Sequence, residues 1–152
     1  MFAEKITPNG VSIATPPAKG WPSGLSLIHI CLGRLPEALE TLARLERYHP
    51  NYAWLYQERG HCYATLRATE PAILAFSRAV VLNSSLPASW NALQVLYRMS
   101  GRVADAEQAA ANAANLAALP REIVTAFSLY ADGDILSAEH VVRQYLLTHR
   151  CV

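Results

Sequence analysis

Residues 53–116 read AWLYQERGHCYATLRATEPAILAFSRAVVLNSSLPASWNALQVLYRMSGRVADAEQAAANAANL, and the stretch is written twice. A shift of 34 residues carries Tyr56, Tyr63, Ala72, Ala79 and Leu82 onto Trp90, Tyr97, Ala106, Ala113 and Leu116. Aromatic falls on aromatic, Tyr on Tyr, Ala on Ala and Leu on Leu. Self-similarity at this period is the signature of stacked helix pairs, each too small to bury its apolar face alone. It predicts an all-α chain, an α-solenoid of antiparallel pairs in a right-handed superhelix.

Around this stretch the spacing is helical. Leu35–Tyr48 places Leu35, Ala38, Leu39, Leu42 and Leu45 on one face, with Pro36 in the first turn and Pro50 after the end. Further helices are predicted over residues 52–66, 69–82, 87–100, 103–118, 121–131 and 135–148. Thr69 and Asp134 stand where N-caps are expected. The segment 103–118 is rich in Ala, which favours helix and lets neighbours approach closely. Residues 1–24, with Pro8, Pro16, Pro17 and Pro22 among several Gly, leave no room for a helix or a patterned strand and read as a flexible tail.

Composition narrows the function. The 152 residues are 52% hydrophobic and 16% charged, with a formal net charge of +1, which is globular and lacks the basic stripe of a nucleic-acid binder. No apolar run is long enough to span a bilayer and no signal peptide is evident, so no membrane association is expected. Three cysteines without CxxC spacing suggest reduced thiols in the cytoplasm.

The chemistry-bearing residues form no convincing catalytic set. His29 with Cys31, His61 with Cys62, and His149 with Cys151 lack the four-ligand spacing of zinc. His61 and Cys62 are helix neighbours pointing about 100° apart, which does not make a nucleophile pair. Asp132-Gly133-Asp134 is too short for a calcium loop and reads as an inter-helix turn. Asn83-Ser84-Ser85 matches a glycosylation sequon but is also read as a turn. No phosphate loop, GxSxG or HExxH occurs. The expectation is a non-enzyme with no cofactor and no metal.

The doubled stretch resembles the tetratricopeptide repeat. In the repeat at 53–86 that family's signature positions hold Tyr56, Arg59, Gly60, Tyr63, Ala72, Phe76, Ala79 and Ser84. In the repeat at 87–118 they hold Trp90, Leu93, Gln94, Tyr97, Ala106, Ala110, Ala113 and Ala118. A partial repeat over about 19–52 matches through Gly33, Ala38, Leu42 and Pro50, with Leu45 in place of an Ala. A divergent one over 119–149 fits after a two-residue slip, through Gly133 and Ala138. Arg59 stands where Leu is usual, so that helix is expected to rotate or its Arg to snorkel outward.

The resemblance implies a concave groove lined by the first helix of each pair. Carried over position by position, it names Trp54, Gln57, His61, Ala64 and Thr65, then Ala88, Asn91, Val95, Arg98 and Met99, and, with the slip, Ile123, Phe127 and Tyr130. Gln57 and Asn91 would hydrogen-bond a peptide backbone, while Phe127 and Tyr130 would hold an apolar side chain. The family's carboxylate-binding residues are not present, so chaperone C-terminal tails are not the expected ligand. The implied function is a protein–protein or intramolecular interaction module that binds a protein or peptide. Self-association through exposed end helices is compatible with it.

A narrower resemblance gives the alternative. PREIVTAFSLYADGD, residues 120–134, continuing to YLLTH at 145–149, is similar to the repeat module preceding a sulfotransferase domain in some bacterial proteins. It implies a non-catalytic, regulatory N-terminal part whose catalytic domain would lie beyond Val152. At the other end, residues 25–30, LSLIHI, resemble the conceptual translation of a transposase mosaic-end adapter. That implies a chimeric segment up to about residue 31; a divergent first helix is the other reading.

Overall fold

A computed structural model describes residues 34–149 and, within the first 24, the backbone of two short strands, β1 (Lys5–Ile6) and β2 (Ser12–Ile13). These pair antiparallel, Lys5 opposite Ile13 and Ile6 opposite Ser12. Each is two residues long, shorter than the patterned strand that the sequence argues against. The rest of the expected tail, the expected first helix at 25–30 and the proposed junction near residue 31 lie outside the described residues.

Seven helices follow among the described residues: α1 (Leu35–Tyr48), α2 (Ala53–Thr65), α3 (Thr69–Leu82), α4 (Pro87–Met99), α5 (Val103–Ala117), α6 (Arg121–Ala131) and α7 (Ile135–Thr148). Each end lies within one residue of the expectation, because Pro and Gly punctuate the chain sharply. The caps divide. Asp134 accepts a hydrogen bond from the Ser137 N–H at 3.1 Å, as its position suggests. Thr69 lies inside α3 instead; Ala68 is the N-cap and makes no side-chain bond.

Helices pack as consecutive pairs, α2 on α3, α4 on α5 and α6 on α7, with α1 against α2 and α3 against α4. This is the layout of an α-solenoid. The repetition extends to single hydrogen bonds. The Tyr56 hydroxyl donates to the Pro50 carbonyl at 2.8 Å, and the Trp90 indole donates to the Ser84 carbonyl at 2.8 Å, each tying down the incoming loop six residues back. The turn after α2 is closed by Arg67 N–H to Ala64 O and Ala68 N–H to Tyr63 O. The turn after α4 repeats both 34 residues on, with Gly101 to Arg98 and Arg102 to Tyr97. The turn after α6 repeats them with Gly133 to Tyr130 and Asp134 to Leu129, a step of 32. The two-residue slip is therefore built into the backbone. All three turns are Schellman closures, whose C′ residue takes positive φ: +58° at Arg67, +73° at Gly101 and +84° at Gly133.

The core consists of two apolar clusters. One joins Ala38 and Leu42 of α1 to Leu55, Tyr56 and Cys62 of α2 and to Ala79 of α3. The other joins Ile73, Phe76 and Val80 of α3 to Leu93 and Leu96 of α4 and Ala109 of α5. Gly60 shows why a small residue is needed: a Cβ there would lie 2.8 Å from three ring carbons of the fully buried Phe76. The equivalent positions in the next pair are Gln94 and Ala110, so large and small have exchanged sides, a compensation that preserves volume. Arg59 does not snorkel out to solvent. It is half-buried, pairs with Glu46 of α1 at 2.7 Å and lies over the Tyr56 ring.

Neither cluster contains a residue of α6 or α7 among those described, and the two helices bury only Ala126 and Ala138. The last pair is attached mainly by polar contacts. Asn83, buried at the end of α3, donates to the Ser128 carbonyl (3.2 Å), the Ser128 hydroxyl (3.0 Å) and Asp132 Oδ1 (3.3 Å). Its own side-chain oxygen accepts from the Ser85 N–H, forming the turn the sequence suggests.

Candidate functional site

A cavity of about 720 Å³ lies where the last pair meets the stack. That volume falls in the range of about 300–1,000 Å³ usual for ligand pockets. Leu45 and His49, at the end of α1, line one side, together with Tyr52, Trp54, Leu55 and Gln57 at the start of α2. Ser85 and Leu86 of the α3–α4 connection, with Pro87 and Ala88 at the start of α4, also line it. Arg121, Val124, Thr125, Ser128, Leu129 and Asp132 of α6 and its C-cap, with Asp134, form the other wall.

Why the cavity stays open is written in the sequence. The seam on the first helix of each pair can be followed from pair to pair using the steps of 34 and 32. Leu55, Arg59 and Cys62 of α2 correspond to Ser89, Leu93 and Leu96 of α4, and these to Arg121, Thr125 and Ser128 of α6. In α4 all three are buried. In α6 the same positions are polar, so burying them against the stack would cost hydrogen bonds with water, and the seam does not seal. Among the described residues, α6 makes no packing with α4 or α5 comparable to its packing with α7.

The groove residues expected from sequence divide by location. Trp54 and Gln57 line the cavity. Gln57 is nearly fully buried, and its Oε1 accepts from the Ser89 hydroxyl at 2.8 Å, joining α2 to α4. His61 lies further along α2, half-buried, edge-on to Phe76 with ring centroids 5.0 Å apart. Burial pushes its imidazole below the ordinary value, while Glu58 acts in the opposite direction. Asn91, Val95 and Arg98 are exposed on α4, outside the cavity lining. Phe127 and Tyr130 are exposed on α6, and that helix turns Val124, Thr125, Ser128 and Leu129 to the cavity instead.

Ala88 was expected in the groove and lines the cavity; Ser85, Leu86, Pro87 and the two aspartates were not anticipated as site residues. The signal that could have found them was the polar replacement of the α6 seam. Asp132 is the most distinctive. It is half-buried, and burial pushes its carboxyl above the usual carboxylate range, with hydrogen bonds from Asn83 and Trp54 pulling it back part of the way. The same carboxylate, with burial the larger cause, helps raise the Tyr52 phenol.

Cys62 is a buried free thiol raised by burial. Among the described residues no three His, Cys, Asp or Glu side chains converge as a metal site, and no helix is long and apolar enough to cross a membrane. Compared with known proteins, the chain matches no protein-family model and no curated relative.

Proposed function

We propose that this chain is an interaction module of tetratricopeptide-repeat type that binds a peptide or protein segment, and that the segment sits between α2, the α3–α4 connection and α6. The observation that carries the reading is the cavity itself, an opening of ligand size at a seam whose equivalent residues one pair earlier, Ser89, Leu93 and Leu96, are buried. Its mixed lining supports a peptide. Tyr52, Trp54, Leu86 and Leu129 offer apolar contact, while Ser85, Thr125 and Ser128 offer hydrogen bonds. The hydrogen bonds repeated 34 residues apart support the repeat type. The chain acts by binding rather than by catalysis.

Selection of random peptides on the immobilised protein tests this. Peptides that bind saturably should lose at least about tenfold in affinity to Thr125→Trp, which fills the cavity from an exposed helical position. Selected peptides that bind this variant as well as the parent would refute the location.

A further inference from the structure

The cavity has a polarity along α6. Arg121 stands at the first residue of the helix and Asp132 at its C-cap, eleven residues on, which is about 16 Å at the helical rise. Between them the α6 side is Val124, Thr125, Ser128 and Leu129, and Trp54 and Leu86 belong to the same lining. That length matches roughly five residues of extended chain at about 3.3 Å each.

Asp132 has no countercharge among the described residues. Asp132 receives neutral donors from Asn83 and Trp54, and no ion pair reaches it among the described residues. A carboxylate offers about four lone-pair sites, so the two donors leave room for more. Asp134 lines the same end, while the nearest lining cation on α6 is at the far end. A half-buried acid in this position gains most from a cation whose apolar stem can lie along the wall and whose N–H groups reach the free lone pairs.

Resting on the peptide-binding reading above, we propose that the occupant is an extended apolar peptide segment carrying one Lys or Arg, with the cationic head at Asp132 and the apolar residues running along α6 toward Arg121. Arg121 repels a second cation at the other end, so the basic residue belongs at one end of the segment. Acidic and phosphorylated segments would set their charge against Asp132.

The test is an array of immobilised hexapeptide mixtures, five positions randomised among Leu, Val and Phe and one terminal position fixed as Lys, Arg, norleucine or Glu. Fluorescently labelled full chain is titrated onto each. Lys and Arg mixtures should bind at least about tenfold tighter than norleucine, and Glu weaker still. In Asp132→Asn, which keeps the shape and an acceptor for Asn83, the Lys and norleucine mixtures should converge, while Asp132→Glu retains the preference. Equal saturable binding of the Lys and norleucine mixtures would overturn the cationic occupant and leave a plain apolar groove. Saturable binding that ignores Asp132→Asn would overturn it as well. No saturable binding by any mixture would overturn both this inference and the peptide-binding reading.

Discussion

At the scale of residues, the fold depends on a few positions where only one kind of side chain fits. Gly60 is one. A methyl group there meets the ring of Phe76 at 2.8 Å, and Phe76 is fully buried and has nowhere to go. Gly60→Ala should therefore destabilise the chain by about 1–3 kcal/mol through overpacking, although Ala is the better helix former. Denaturant unfolding measures this, and a stabilised variant would show that the two helices do not cross there. Arg67 is the converse case. It takes φ of +58° at a turn where the two equivalent turns use glycine. Arg67→Gly should raise stability by about 0.5–1 kcal/mol, the relief of left-handed strain partly offset by the entropy of glycine in the unfolded chain.

His61 gives a pH signature. Burial holds its imidazole below the ordinary 6.5, so below that pH the unfolded chain takes up a proton that the folded chain resists. Its contribution is fully present above about pH 6.5 and is lost as pH falls through the window beneath. Asp132, raised by burial, acts with the opposite sign above its ordinary 3.8, losing stability as pH rises. The difference between parent and variant isolates the histidine. The stability advantage of the parent over His61→Gln should shrink between pH 7.5 and pH 5, and a difference constant with pH would show His61 to be solvated.

Among the elements, the first two complete pairs and α1 make one body, and the last pair is held to it by polar contacts. Asn83 bridges them, the two N–H groups of its amide reaching three acceptors. Asn83→Ala should free α6 and α7 while leaving the rest folded. Hydrogen exchange should accelerate in residues 121–148 by more than about tenfold, with little change in α2 and α3. Uniform acceleration along the chain would mean that the pairs unfold as one unit.

Much of this scale was legible in the sequence. Pro36, Pro50, Pro87, Gly101 and Gly133 mark the helix ends, and the doubled stretch specifies the pairing. The slip was readable too, because Gly133 and Asp134 punctuate the last turn. What was not legible is how the last pair docks. Periodicity reports which residues could face inward, not whether a neighbour closes on them. The consensus placed Phe127 and Tyr130 in the groove, yet they are exposed on α6, because the helix presents its polar seam of Arg121, Thr125 and Ser128 to the stack. Arg59 likewise breaks the consensus, and Glu46, on a neighbouring helix, supplies a partner that the repeat pattern does not encode. Hydrogen bonding to Arg59 first, then to Tyr56, lowers the Glu46 carboxyl despite the opposing effect of burial.

For the whole molecule, the central claim is that ligand binds where the stack fails to close, rather than on the exposed face of α4. Two surfaces compete for that role. One is the exposed row Asn91, Val95 and Arg98 that the repeat pattern favours; the other is the cavity at the polar seam. The cavity offers enclosure on several sides, which the exposed row does not, and enclosure is what lets a short peptide bury most of its surface. Hydrogen exchange of the full chain, with and without a saturating selected peptide, separates the two most directly. The account predicts slowed exchange in residues 85–88 and 121–132 together, with residues 91–99 little changed. Slowing confined to residues 91–99, with 121–132 exchanging as in the free chain, would contradict it.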